Sequence, residues 1–193
     1  AMPDVPARLN EQRIADYLAV FFEDKSATFY ENIYRLPPGH CMTIDRKECR
    51  LRCYWKPDPQ SEVHFKSDQE YAIAFREIFS LAVESRLRSD RAPLFLLSGG
   101  LDSSSIVSVA ANLRKDKSPP LNTITATFPD FPEIEEREYI DAMLEHNDID
   151  PLFARVDHLS PLHDIDNVFR HEDEPFHAPN LFVFWRLAEA AKN

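Results

Sequence analysis

Pro93-Leu94-Phe95-Leu96-Leu97-Ser98-Gly99-Gly100-Leu101-Asp102-Ser103-Ser104 is the stretch on which the fold turns. Its first five residues are wholly apolar, which predicts a short strand buried on both faces of a parallel sheet. Two glycines break the run, and a helix is expected from about Ser104 to Arg114. The chain holds only three glycines, Gly39, Gly99 and Gly100, so two of the three share one loop. Lacking a Cβ, Gly99 and Gly100 can adopt positive φ and bring their amides close to an anion. Ser98, Ser103 and Ser104 add hydroxyl donors, and the helix that begins there presents free N–H groups and a positive dipole end. In an open parallel sheet, ligands lie beyond the carboxyl ends of the strands, where this loop stands. The loop is built to hold phosphate.

Outward from the loop, the chain alternates strands and helices. Upstream, Ser67-Asp68-Gln69-Glu70 is a capping box. Tyr71, Ala74, Phe75, Ile78, Phe79, Ala82, Val83 and Leu87 then repeat at helical spacing to about Arg88, a face that the following strand should cover. Downstream, Pro119-Pro120 closes the unit. Leu121 to Phe128 reads as a second strand, Glu135 to about His146 as a helix, and Leu152 to Val156 as a third strand. A last helix is expected from Pro179 to Lys192, packed through Leu181, Phe184, Trp185 and Ala188. This order requires right-handed parallel crossovers, so the fold class is α/β with an open parallel sheet.

Ahead of that sheet, Asn10 can cap a helix from Glu11 to about Phe22, with Ile14, Tyr17, Leu18 and Phe21 on one face. Leu36-Pro37-Pro38-Gly39 makes a rigid turn. His40 to Ile44 and Arg50 to Tyr54 form a hairpin. Pro57 and Pro59 mark a boundary near residue 60, which divides the chain into 1–60 and 61–193.

Composition narrows the functional classes. A 44% hydrophobic, 11% aromatic chain is globular. Its net charge of −11 argues against a nucleic-acid surface. No apolar run approaches the ~20 residues of a membrane span. Cys41, Cys49 and Cys53 are odd in number and form no Cys-x-x-Cys, so they read as reduced thiols of a cytoplasmic protein and not as a zinc site. His158, His163, His171 and His177 read as solvated or core residues.

The loop's own chemistry is distinctive. It has no Lys and no Walker spacing. An acid, Asp102, stands beside the phosphate position, which makes sense with a metal between them, and Mg²⁺ prefers carboxylate and phosphate oxygens. Asp102 is the candidate metal ligand. Ser98-Gly99-Gly100-Leu101-Asp102-Ser103 resembles the Ser-Gly-Gly-x-Asp-Ser motif of the ATP pyrophosphatases. That resemblance implies a sheet of the adenine-nucleotide α-hydrolase type, and an attack on the α-phosphorus of ATP that yields an adenylate and pyrophosphate. Phe29-Tyr30-Glu31-Asn32-Ile33, Arg35 to His40 and Tyr54-Trp55 resemble the end of the glutaminase domain of asparagine synthetases. Asp173-Glu174-Pro175 and Asn180 resemble their synthetase domain.

By this resemblance, residues 1–60 are the tail of a glutaminase-like domain and 61–193 the first part of an ATP-pyrophosphatase domain. Ser98, Gly99, Gly100, Leu101, Asp102, Ser103 and Ser104 would hold the pyrophosphate of ATP and Mg²⁺. Adenine would lie against Leu96 and Leu97 and the end of the second strand, near Thr127 and Phe128. Glu174 either faces the substrate or belongs to a solvated acidic run with Glu172 and Asp173. The implied substrates are ATP and an amino acid or other carboxylate, asparagine being the leading product and another amide or lactam the second. A homodimer is compatible with all of these features.

The chain also departs from the pattern. No N-terminal nucleophilic Cys is present, and Cys41 lies in the hairpin. The resemblance places a second Gly- and Asp-rich loop and a catalytic Lys beyond Asn193, so the chain is expected to be a fragment incomplete for turnover. Two rivals stay open. A non-catalytic α/β remnant would serve in oligomerisation or regulation, and a sulfur-transfer enzyme would need a Cys beyond the loop, where none occurs.

Overall fold

The computed structural model describes residues 7–21, 23–114, 119–172, 175 and 180–192. They form two compact units, 1–64 and 65–193. The Pro57-x-Pro59 segment lies just ahead of the division.

In the first unit, Asn10 caps α1 (Glu11–Leu18), its side-chain oxygen accepting the Arg13 amide at 3.1 Å. The helix stops short of Phe21, and Phe22 lies outside the described residues; Val20 takes a left-handed φ of 55°. Leu18 and Phe21 are therefore exposed, contrary to the expected apolar face. Packing here centres on the buried Phe29 ring, which meets Tyr17 edge-on at 5.4 Å and lies 5.6 Å beneath the Arg13 guanidinium. The hairpin pairs β1 (His40–Ile44) with β2 (Cys49–Cys53), His40 opposite Cys53 and Ile44 opposite Cys49. Asp45 closes its turn by accepting the Lys47 and Glu48 amides. Gly39 is required at its base: φ is +68° and a Cβ would run into the Trp55 carbonyl.

The second unit is built on a parallel sheet of β3 (Leu94–Leu96), β4 (Leu121–Thr127) and β5 (Ile149–Arg155), in that spatial order. Around it stand α2 (Asp68–Arg86), α3 (Leu101–Leu113), a 3₁₀ turn (Pro132–Ile134), α4 (Arg137–His146), α5 (Ile165–His171) and α6 (Leu181–Ala190). Alternation along β4 sends side chains to two cores. Leu121 joins Val83, Leu97, Val107, Ala110 and Ile140, whereas Ile124 joins Ala154 and Leu187.

Four expectations need correction. β4 is the central strand and the one buried on both faces, because an apolar cluster packs on each. β3 is an edge strand among the described residues, and Leu94 and Leu96 are 41% and 47% exposed. On α2 only the C-terminal half meets the core, through Phe79, Val83 and Leu87; Tyr71, Phe75 and Ile78 are exposed. The packed face of α6 is Val183, Leu187 and Ala190, while Phe184 and Ala188 are exposed; the expected start at Pro179 lies outside the described residues. Finally, α5 has no counterpart among the expected elements; Trp185 of α6 donates to Asp164 at its N-terminus at 3.0 Å and meets His171 edge-on. Among the described residues, no helix is long and apolar enough to cross a membrane.

Candidate functional site

The segment between β3 and α3 is anchored before it turns. The Leu97 amide donates to Ile124 O at 3.0 Å, and its buried carbonyl accepts the Thr125 hydroxyl at 2.6 Å. Two serines then clamp the turn. Ser98 Oγ and Ser103 Oγ lie 2.9 Å apart; Ser103 Oγ accepts the Ser98 amide and reaches Gly100 O, while Ser98 Oγ accepts the Gly100 amide. These hydroxyls hold the loop's own shape. Gly99 supplies its positive φ of +89°.

The helix begins at Leu101 with Gly100 as its N-cap, earlier than the Ser104 expected from sequence. Leu101, Asp102 and Ser103 thus form its first turn, and their three amides have no intrahelical acceptor. The Ser104 amide already donates to Gly100 O at 3.1 Å. Ser104 Oγ is buried with no hydrogen-bond partner among the described residues. Asp102 is exposed on this turn.

Two cavities flank the loop. The first, about 410 Å³, lies at the carboxyl ends of β3 and β4, and about 300–1,000 Å³ is the range of small-molecule sites. Leu96, Leu97, Ser98, Ser103 and Phe128 all border it, with Ile134, Asn180 and Phe184. The second, about 610 Å³, runs between α3 and α4 and is bordered by Gly99, Gly100, Leu101 and Ser104. Asp102 lines neither. The structure therefore brings the expected residues to one place but distributes them over two openings. Asp173, Glu174 and His177 lie outside the described residues.

Glu136, which sequence reasoning passed over, borders both cavities. It is the N-cap residue of α4, and its side chain makes no capping bond. Its neighbour Glu135 is structural, because Oε2 accepts the Phe128 amide at 2.5 Å and fixes the exit of β4. Further out, Arg155 donates to Asp130 at 2.6 Å and to Asp157 at 2.7 Å, and Asp157 accepts the Asp130 amide at 2.7 Å. The Arg155 guanidinium beside it holds the Asp157 carboxyl below the ordinary carboxylate value. This clamp ties the loop after β4 to the end of β5. Only the pairing shown in space, and no local sequence signal, marks Glu136 and the clamp.

Unpartnered first-turn amides and an orphaned Ser104 hydroxyl fit a phosphate group. Among the described residues no three His, Cys, Asp or Glu side chains gather as a metal site. A Mg²⁺ at Asp102 would need phosphate oxygens and water to complete its shell, which is how that ion is commonly held. The asparagine synthase family model matches residues 74–193, which include the loop, all three parallel strands and α3 to α6.

The chain belongs to the asparagine synthase family. Asparagine synthetase [glutamine-hydrolyzing] 3 of Bacillus subtilis is 29% identical over 130 residues, 66% of this chain and 21% of that protein. Amidase chry2 of Gibberella zeae is 35% identical over 96 residues, 47% of this chain and 14% of that protein. Asparagine synthetase [glutamine-hydrolyzing] 1 of B. subtilis is 24% identical over 191 residues, 95% of this chain and 28% of that protein. This asparagine synthase family chain thus spans less than a third of the length of these relatives.

Proposed function

We propose that residues 65–193 are the ATP-binding part of an amide-forming synthetase, with a sheet of the ATP-pyrophosphatase type. The observation that carries the reading is the serine-clamped turn between β3 and α3, whose free amides sit beside an apolar cavity at the carboxyl ends of the strands. The loop from Ser98 to Ser104 would hold the pyrophosphate, and Asp102 would bind Mg²⁺. The base would enter the cavity between Leu96, Leu97 and Phe128. When bound, Mg²⁺ would neutralise phosphate charge as a carboxylate oxygen attacks the α-phosphorus. Pyrophosphate then leaves, and an amine displaces AMP to form the amide.

Asparagine, made from aspartate and glutamine-derived ammonia, is the leading product, because several relatives bear that activity in their names. The amidase relative favours another amide as the second reading. Among the described residues neither cavity has a Lys or Arg on its lining, so none of those residues supplies a cation there to the charge that develops on phosphorus. Binding without turnover is the expected behaviour of residues 1–193 alone.

Calorimetric titration with a non-hydrolysable ATP analogue, with and without MgCl₂, tests the reading. Magnesium-dependent binding is expected. Asp102→Ala should weaken it at least about tenfold while leaving the unfolding midpoint unchanged, since an exposed first-turn Asp adds only a few tenths of a kcal/mol to its helix. Unchanged affinity in that variant would remove Asp102 as the metal ligand. No binding at millimolar ligand would favour a non-catalytic module.

A further inference from the structure

We infer that Glu136 determines specificity at the loop, excluding polyphosphate that carries no cation and admitting the magnesium complex. The inference rests on the nucleotide reading above and adds a residue to it. A Cβ built on Gly99 would stand 2.7 Å from Glu136 Cβ and 3.1 Å from Glu136 Oε2. That carboxylate oxygen is consequently no farther than about 4.6 Å from Gly99 Cα, given a Cα–C bond of about 1.5 Å. It stands where the amide end of the loop meets the apolar cavity.

Among the described residues nothing employs this charge. Glu136 caps no amide of α4, and among the described residues it has no ion-pair or hydrogen-bond partner for its carboxylate. The structural acid of the pair is Glu135, engaged with the Phe128 amide. Among the described residues neither cavity has a Lys or Arg on its lining; the other titratable lining residues are Tyr139 and His146, both in the second cavity.

A helix N-terminus with free amides attracts any anion. Without Glu136 the loop would accept free ATP, pyrophosphate or inorganic phosphate more readily, and Asp102 alone would favour the magnesium complex. A carboxylate at this distance repels the bare polyanion and leaves the partly neutralised complex much less affected. For unit charges 4 Å apart the repulsion ranges from about 1 kcal/mol in water to about 4 at the effective dielectric of a protein surface, or from fivefold to several hundredfold. Asp102 and Glu136 would therefore enforce the same preference by different means. Asp102 gains affinity for the complex, and Glu136 removes affinity for the free anion.

The test is titration of the full chain and its Glu136→Gln variant with the non-hydrolysable ATP analogue, in MgCl₂ and in EDTA, at low ionic strength. Glu84→Gln on α2 serves as a control for net charge. The expected result is a metal-free affinity raised on the order of tenfold in Glu136→Gln. Affinity for the magnesium complex should change less than about threefold, and Glu84→Gln should behave as the unaltered chain. A metal-free affinity that does not rise, or an equal rise in Glu84→Gln, would overturn the inference while leaving the nucleotide site standing. Failure of the unaltered chain to bind the magnesium complex would overturn both.

Discussion

At Gly99 the backbone turns through a φ of +89°, and the space a side chain would need is already taken by Glu136. Two penalties follow for Gly99→Ala. The left-handed backbone costs an L-residue roughly 1–2 kcal/mol, and forcing a methyl group against Glu136 Cβ adds a packing strain of about 1–3 kcal/mol. Urea unfolding should therefore show a loss of about 2–5 kcal/mol. Combining Gly99→Ala with Glu136→Ala should not relieve the backbone part and, with the Glu136 Cβ retained, should recover little of the packing part. Glu136→Gly should recover more. Equally large recovery by the two double variants would show that the longer Glu136 side chain, and not its Cβ, is the obstacle. The glycine pair itself was legible in sequence, because a chain with three glycines places them where the backbone demands them. Its partner was not, since Glu136 lies on another element and reads locally as an ordinary helix-start acid.

The exits of β3 and β4 illustrate how elements position the loop. Thr125 is 1% exposed and donates to the Leu97 carbonyl, the last backbone group before the turn. Thr125→Val keeps the shape and removes the donor, leaving a buried carbonyl unsatisfied, so a loss of about 1–3 kcal/mol is expected in denaturant unfolding. The Arg155–Asp130–Asp157 clamp makes a second prediction at this scale. Its Asp157 carboxyl is held below the ordinary value by the Arg155 donor. The sign follows from linkage: with a lowered folded-state pKa, the clamp stabilises fully above the unfolded-state value and fades as pH falls through the lowered one. Asp157→Asn should thus lower the urea midpoint at pH 7, and the two midpoints should converge as pH drops below about 3.9. A constant gap down to about pH 2 would count against the ion pair as its cause. Strand and helix order was legible from apolar runs and periodicity, because local sequence sets both. The faces were less so. An apolar run cannot distinguish an edge strand from a central one, which is why Leu94 and Leu96 read as buried, and the α6 face depends on which residues of β4 stand opposite.

Across the whole chain, apolar burial is distributed very unevenly. The described buried hydrophobic residues of the second unit run from Val83 to Leu187 and form two clusters on the faces of β4. In the first unit Phe29 is the one buried hydrophobic residue among those described, and every residue of β2 is exposed. A two-stranded hairpin without a covered face is marginal in water, whereas a central strand opens only when its whole unit does. Native-state hydrogen exchange should resolve the two. Amides of Thr123 and Thr125, bonded within the sheet and below 2% exposure, should exchange at least about a hundredfold more slowly than those of Arg50 and Arg52, whose strand has one partner and no buried side. The loop at Ser98 to Ser103 belongs to the stable part, because its first anchor is a bond to Ile124 on β4. Its capacity to bind phosphate should consequently outlast loss of the hairpin: at a urea concentration that releases the Arg50 and Arg52 amides to rapid exchange, the ATP analogue should still be bound. Loss of binding in step with those amides would place the site's stability in the first unit and contradict the anchoring derived from Leu97 and Thr125.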